Sequence, residues 1–374
     1  MSPRTIFIDS AEKLRAMRLE LVKESLLSID TEFHSERRYH PELMLVQIAN
    51  EKGNVWVVDP KAVSMKALGE ALRSAILITH GGQQDIRILH QDLEIRPAKL
   101  FDTQIAAGFL GYKYPLGLQA LCKRILDLDI SKVETLTDWS KRPLDEDQVQ
   151  YAADDARVLF PLYNALIAEV QKRGLETYMW QACEEMVDQQ LLPPVVGLSW
   201  IHWGVAETLS IDAQRVLTAL LEWRELTAMR KNQSPNYILP RSILLYLAKA
   251  HPTSVEKIQN RRVHPTFLQR YGKKVVKVIS KALQDTDEFL LPTPEQKERA
   301  EVLRLWVSIF SKEVQISPSL LLPRDTMEGI TLHGVSVLQT WRRELMLQRL
   351  KAFLRGQEYI VLTNGKPRLQ SLTS

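Results

Sequence analysis

Leu26-Leu27-Ser28-Ile29-Asp30-Thr31-Glu32-Phe33 is a short apolar run of β character that ends in two carboxylates one residue apart. Residues i and i+2 of a strand project from the same face. The spacing therefore predicts Asp30 and Glu32 side by side at the C-terminal end of a buried strand. Two like charges held that close in a partly desolvated place are unfavourable unless a cation sits between them. Solvated Asp-x-Glu pairs are common on surfaces, so the weight of this reading comes from the rest of the chain.

Working outward, Ile6-Phe7-Ile8 reads as a first strand, and Asp9 or Ser10 caps a helix in which Leu14, Met17 and Leu21 recur at helical spacing. After the carboxylates, residues 42–49 are apolar on both alternating faces, as a central strand should be. Turn residues 50–54 lead to another strand at 55–58, so the sheet is expected to open as a meander. A helix over 65–72 precedes a buried strand at 75–79, which ends at His80-Gly81-Gly82. Two glycines permit a tight strand-to-helix turn, and Asp85 falls in the first turn of the helix that follows. Residues 100–103 read as one more strand, with Asp102 as the better candidate for a helix cap than for chemistry.

Asp145 and Gln148 have capping-box spacing at the start of a long helix ending near Gly174. Tyr151 and Asp155 are four apart and share one face of it. Asp154 points about a quarter-turn away and reads as solvated or paired with a basic neighbour. Ala152, Ala153 and Ala156 allow this helix to lie close to the sheet.

Composition shifts at Leu191-Leu192-Pro193-Pro194-Val195-Val196-Gly197, which reads as a linker. Beyond it, helical periodicity takes over. Between Ile211 and Leu283 fourteen lysines and arginines stand against four acids, the footprint of a phosphate-binding surface. Asp285-Thr286-Asp287-Glu288 and Pro292-Thr293-Pro294 mark a second boundary, followed by another helical unit with Leu303, Leu305, Trp306 and Ile309 as core. The expected domains are 1–190, a linker at 191–208, then 209–288 and 295–374. With 374 residues and 45% hydrophobic content, the chain can build several cores. No apolar stretch approaches a bilayer span, and the N-terminus reaches Asp9 too soon for a signal-peptide core. Only two cysteines occur, Cys122 and Cys183, which excludes a disulfide framework and suggests a reduced cytoplasmic setting. The net charge of +4 leans toward a polyanionic partner.

Asp30, Glu32, Asp85 and Asp155, with no histidine or cysteine ligand, suit hard cations such as Mg²⁺ or Mn²⁺. Such a set can hold two metals about 4 Å apart around a phosphodiester, with Tyr151 beside the attacking water.

These motifs resemble the three exonuclease motifs of the DEDD superfamily: Asp30-Thr31-Glu32, Asp85 after His80-Gly81-Gly82, and Tyr151-x-x-x-Asp155. The tyrosine marks resemblance to the DEDDy branch, and the whole chain resembles the bacterial ribonuclease D family. Tyr39-His40-Pro41-Glu42-Leu43, Phe101-Asp102-Thr103-Gln104 and Asp138-Trp139-Ser140-Lys141-Arg142-Pro143-Leu144 carry that likeness. After the linker, Leu220-Leu221-Glu222-Trp223-Arg224 and Arg270-Tyr271-Gly272-Lys273 resemble the helicase-and-RNase-D C-terminal (HRDC) domain, and Trp341-Arg342-Arg343-Glu344-Leu345 a second HRDC-like unit. The resemblance implies an α/β ribonuclease H-like mixed sheet followed by two all-α HRDC-type domains. It implies a 3′-to-5′ exoribonuclease using two divalent cations, with Asp30, Glu32, Asp85, Tyr151 and Asp155 as its site, acting as a monomer on tRNA precursors and small structured RNAs. Arg224, Arg230, Lys231, Arg261, Arg262, Arg270, Lys273 and Lys274 are the expected RNA contacts. Ser131-Lys132-Val133-Glu134-Thr135-Leu136 departs from the family pattern near Leu136, and Gln83-Gln84 is also unusual. A DEDDy enzyme acting on DNA and a catalytically idle RNA-binding adaptor are the competing readings.

Overall fold

Strand β2 (Leu26–His34) lies inside a six-stranded sheet of order β1-β4-β3-β2-β5-β6. Its companions are β1 (Thr5–Ile8), β3 (Glu42–Ala49), β4 (Val55–Val58), β5 (Ile76–Thr79) and β6 (Lys99–Asp102). The computed structural model describes residues 3–130, 137–192, 208–258, 263–285 and 293–372. Most of the 191–208 linker, the second boundary from 286 to 292, the stretch around Leu136, and Arg261 and Arg262 lie outside the described residues.

β2, β3 and β4 are neighbours in sequence order, and β3 and β4 are antiparallel, as the meander requires. The first strand departs from it: β1 pairs in parallel with β4 at the sheet edge, with Ile6 opposite Trp56. Helix α1 (Ala11–Leu21), capped by Ser10, crosses from that edge and buries Leu14, Met17 and Leu21. β5 runs parallel to both β2 and β6, and Ser28 lies opposite Ile78. β5 ends one residue later, so Asp30 and Glu32 extend past its tip. There the chain turns through Gly81, at φ 62°, and Gly82 into helix α3 (Gln83–Asp92). A side chain is excluded at Gly82, because a Cβ there would sit 2.6 Å from the Thr79 hydroxyl.

Helix α2 (Met65–Leu72) covers the sheet between β4 and β5, while α4 (Thr103–Phe109) and α5 (Leu118–Leu126) follow β6. Asp102 caps α4 by accepting from the backbone of Gln104 and Ile105. Helix α6 (Glu146–Lys172) starts with the expected Asp145–Gln148 capping box and buries Ala152, Ala153 and Ala156. Helix α7 (Glu176–Leu191) packs beside it.

Contacts divide the chain into two units: Met1–Phe33 with Leu43–Leu192 and Pro292–Ser374, and His34–Glu42 with Pro193–Leu291. In the second unit, α8 (Ile211–Lys231), α9 (Pro235–Ile238), α10 (Arg241–Ala250) and α11 (Pro265–Gln284) surround Val216, Leu220, Leu244, Leu247 and Val275. Tyr39 joins this unit and donates its hydroxyl to Glu225 at 2.7 Å.

The C-terminal segment of the first unit contains α12 (Pro294–Val314), α13 (Pro318–Leu321), α14 (Arg324–His333) and α15 (Thr340–Leu354). Trp306, Phe310 and Trp341 are buried in the same cluster as Phe101, Phe109 and Leu159. The Phe109 and Trp341 rings are 4.8 Å apart. Gly108 makes this approach possible: its carbonyl accepts from Ser317 at 2.8 Å, and a Cβ there would stand 2.8 Å from Leu320. The segment ends in a hairpin, β7 (Glu358–Thr363) and β8 (Lys366–Ser371), which helical periodicity did not foretell. Among the described residues, no helix is long and apolar enough to cross a membrane.

Candidate active site

Asp30 and Glu32 emerge from the free end of β2, and Asp155 from α6. Each offers a carboxylate oxygen, and these atoms lie within 4.8 Å of one another. The alanines beside Asp155 explain part of the approach. The Ser28 hydroxyl explains more: it donates to the Ala156 carbonyl at 2.7 Å and ties the strand to the helix next to Asp155. Nothing in the local sequence announces that bond.

Asp85 enters from the first turn of α3, buried at 8% exposure. Thr31, which alternates to the other face from Asp30 and Glu32, donates its hydroxyl to Asp85 at 2.5 Å. The fourth carboxylate is thus held through the residue between the first two.

Burial and mutual repulsion disfavour the ionised forms of this group. Burial, then repulsion from Asp85, Glu32 and Asp155, raises Asp30 well above the ordinary carboxylate range. Burial, then Asp155 and Asp85, pushes Glu32 up to about 8. Burial raises Asp85 to about 6 against the hydrogen bond from Thr31. Asp155 is likewise raised by burial to about 6, opposed by a hydrogen bond from the Tyr151 hydroxyl. Four carboxylates that repel one another in a desolvated recess fit hard divalent cations, whose charge favours the ionised forms.

Tyr151 packs against Trp139, with ring centroids 6.3 Å apart, and its hydroxyl is turned to Asp155. Outward along α6 the site opens into a cleft of about 710 Å³ whose lining includes Tyr151, Asp155, Gln150, Val158 and Pro161. Asp154 is turned aside to pair with Arg157, as its quarter-turn offset implied.

The family model described as 3′–5′ exonuclease matches residues 5–171, which include all five side chains. A model of the HRDC domain matches residues 213–279. The chain carries a DEDD-type 3′–5′ exonuclease domain followed by an HRDC domain. The ribonuclease D likeness is borne out as well. Ribonuclease D of Zymomonas mobilis is 28% identical, with 98% of each chain covered. That of Desulfotalea psychrophila is 28% identical, with 79% of each covered. In fold, the chain is similar to the crystal structure of Escherichia coli RNase D, with TM-score 0.82, 23% identity and coverage of 95% of this chain and 99% of that one.

In the HRDC domain, the structure separates the expected RNA contacts. Arg270, Lys273 and Lys274 are exposed on α11, and Arg230 and Lys231 are exposed at the end of α8. Arg224 is partly buried and donates to the Leu239 carbonyl at 3.2 Å, so its guanidinium ties helix to loop.

Proposed function

We propose that the protein is a metal-dependent 3′-to-5′ exoribonuclease that removes terminal nucleotides from tRNA precursors and other small structured RNAs. The observation that carries this reading is the convergence of Asp30, Glu32 and Asp155 within 4.8 Å, with Asp85 and Tyr151 against them. In this reading the four carboxylates hold two divalent cations, Mg²⁺ or Mn²⁺. Bound there, the metals supply Lewis-acid stabilisation of the phosphodiester that is cut.

The chain's own residues do the rest. Tyr151 orients the attacking water through its hydroxyl, since a phenol of ordinary pKa about 10 is a poor base at neutral pH. Water attacks the terminal phosphorus, the 3′ oxygen of the preceding nucleotide leaves, and a nucleoside 5′-monophosphate is released. The exposed Arg230, Lys231, Arg270, Lys273 and Lys274 draw the RNA backbone toward the protein by long-range attraction. Support for RNA as substrate comes from relatives named Ribonuclease D. The enzyme acts in the cytoplasm, in keeping with two buried free cysteines, Cys122 and Cys183.

RNA and DNA strands of one sequence, each with a free 3′ end, test the proposal against the DNA-directed alternative. Faster release of ribonucleoside 5′-monophosphates is expected. Equal or faster digestion of DNA would overturn the substrate assignment.

A further inference from the structure

Among the described residues, one side chain outside the metal-site set anchors the loop that carries Trp139 to Tyr151. Arg142 lies in the loop before α6, and all five of its N–H donors are used. Nε and one Nη2 donor grip the two oxygens of Asp59 at 2.6 and 3.0 Å. The other Nη2 donor reaches the Met44 carbonyl at 3.0 Å. Nη1 donates to the carbonyls of Trp139 and Lys141 at 2.8 and 2.7 Å.

Asp59 follows β4 and is itself fixed by accepting from the Lys61 backbone at 2.9 Å. Lys61 adds a second tether, from its ammonium to the Ser140 carbonyl at 3.1 Å. Residues 139–141 are thereby pinned to β3 and β4 through one forked ion pair and one lysine. Trp139, 3% exposed, is the side chain that this loop delivers to the core, and it rests on the Tyr151 ring. Asp59 is buried and Arg142 partly buried, so desolvation of the carboxylate offsets part of the attraction in this bidentate pair. The pair does give directional rigidity that a lysine cannot supply.

We propose that Arg142 and Asp59 are positioning residues for hydrolysis, which pin Trp139 and so fix the Tyr151 ring with its hydroxyl on Asp155. This inference rests on the exonuclease reading and adds to it a control on the water-orienting group that lies outside the metal ligands.

The test is a double-mutant cycle on the full chain. Arg142→Lys and Asp59→Asn are made alone and in a Tyr151→Phe background, which keeps the ring and removes the hydroxyl. Single-turnover rates, KM, melting temperature and divalent-cation affinity are then measured with a 3′-hydroxyl RNA. Alone, each substitution should lower the cleavage rate about tenfold or more with little change in KM or metal affinity. In the Tyr151→Phe background the further loss should shrink to about twofold or less, because the group being positioned is already gone. A merely structural role would instead cost the same factor in both backgrounds, and that result overturns the inference, as does a parent-like rate in the single variants. Should Arg142→Lys fail to fold, Trp139→Phe keeps an aromatic ring in the core and takes its place in the cycle, with the same outcomes. A parent chain that leaves RNA intact would sink the exonuclease reading and this inference together. An active parent whose rate ignores Arg142 sinks the inference alone.

Discussion

Thr31 donates its hydroxyl to Asp85 at 2.5 Å. The residue between Asp30 and Glu32 therefore sets the position of the carboxylate that arrives from α3. Removing that hydroxyl while keeping the branched shape, as in Thr31→Val, leaves the buried Asp85 with backbone donors but no side-chain donor. Partners behind metal ligands commonly matter about tenfold or more, so Mg²⁺ affinity and turnover should both fall by about that factor. Calorimetric titration of the variant checks it. Parent-like affinity would mean that the backbone donors of Asp85 and Thr31 suffice to hold the carboxylate.

Tyr151→Phe separates orientation from packing. The ring against Trp139 remains, and only the hydroxyl on Asp155 is lost. A drop in the single-turnover rate of about a hundredfold, with RNA affinity unchanged, is the expected pattern for a group acting in the transition state. An unchanged rate constant would reduce Tyr151 to a packing residue.

The carboxylate cluster also predicts how metal and pH act together. Glu32 is pushed from 4.5 to about 8, by burial first and then by Asp155 and Asp85. Between those values the folded chain holds a proton that the unfolded chain has released. Without metal, this group's contribution to stability is therefore lost as pH rises through that window. A divalent cation takes the deprotonated set and opposes the loss. Mg²⁺ should raise the melting temperature several degrees at about pH 8 and far less at about pH 5.5. Equal shifts at both pH values would argue against metal binding at these carboxylates.

Much of this was legible in the sequence, and the residues show why. Strand β2 and the i,i+2 pair, the Asp145–Gln148 box, the Tyr151–Asp155 spacing and the Asp102 cap are all local patterns, and local patterns fix side-chain direction. The Ser28–Ala156 and Thr31–Asp85 bonds and the Arg142–Asp59 fork span 128, 54 and 83 residues, so no window of sequence contains both partners. The edge placement of β1 was hidden for the same reason. The β7–β8 hairpin is different. Asn364-Gly365, with φ 51° and 71°, is the turn pair that two-residue hairpins favour, and it stands between Val361-Leu362 and Leu369. That signal was present and was masked by the helical periodicity before it.

The structure also shapes how the HRDC domain should be tested. Cutting the chain at Leu209 would strip Trp306, Phe310 and Trp341 from the core they share with Phe109. A truncated enzyme would then fail by unfolding rather than by losing RNA contacts. Exchanging the exposed Lys273 and Lys274 for alanine leaves that core intact. Affinity for a tRNA precursor should fall, and the slope of log affinity against log salt should flatten by about two. Cleavage of a short single strand should hold near the parent rate. The same affinity and slope in the variant would remove these two lysines from the RNA-binding surface.

Digestion of a 5′-labelled RNA with a free 3′ hydroxyl tests the four-carboxylate centre most directly. The full chain is assayed with Mg²⁺ or Mn²⁺ and with EDTA, beside Asp30→Asn, which removes one ligand charge while keeping its shape. The expected result is a ladder that shortens one nucleotide at a time from the 3′ end, releasing nucleoside 5′-monophosphates. It should be abolished by EDTA and by Asp30→Asn, while the variant still binds the RNA. Internal cuts, or cleavage that survives both EDTA and the loss of Asp30, would contradict it.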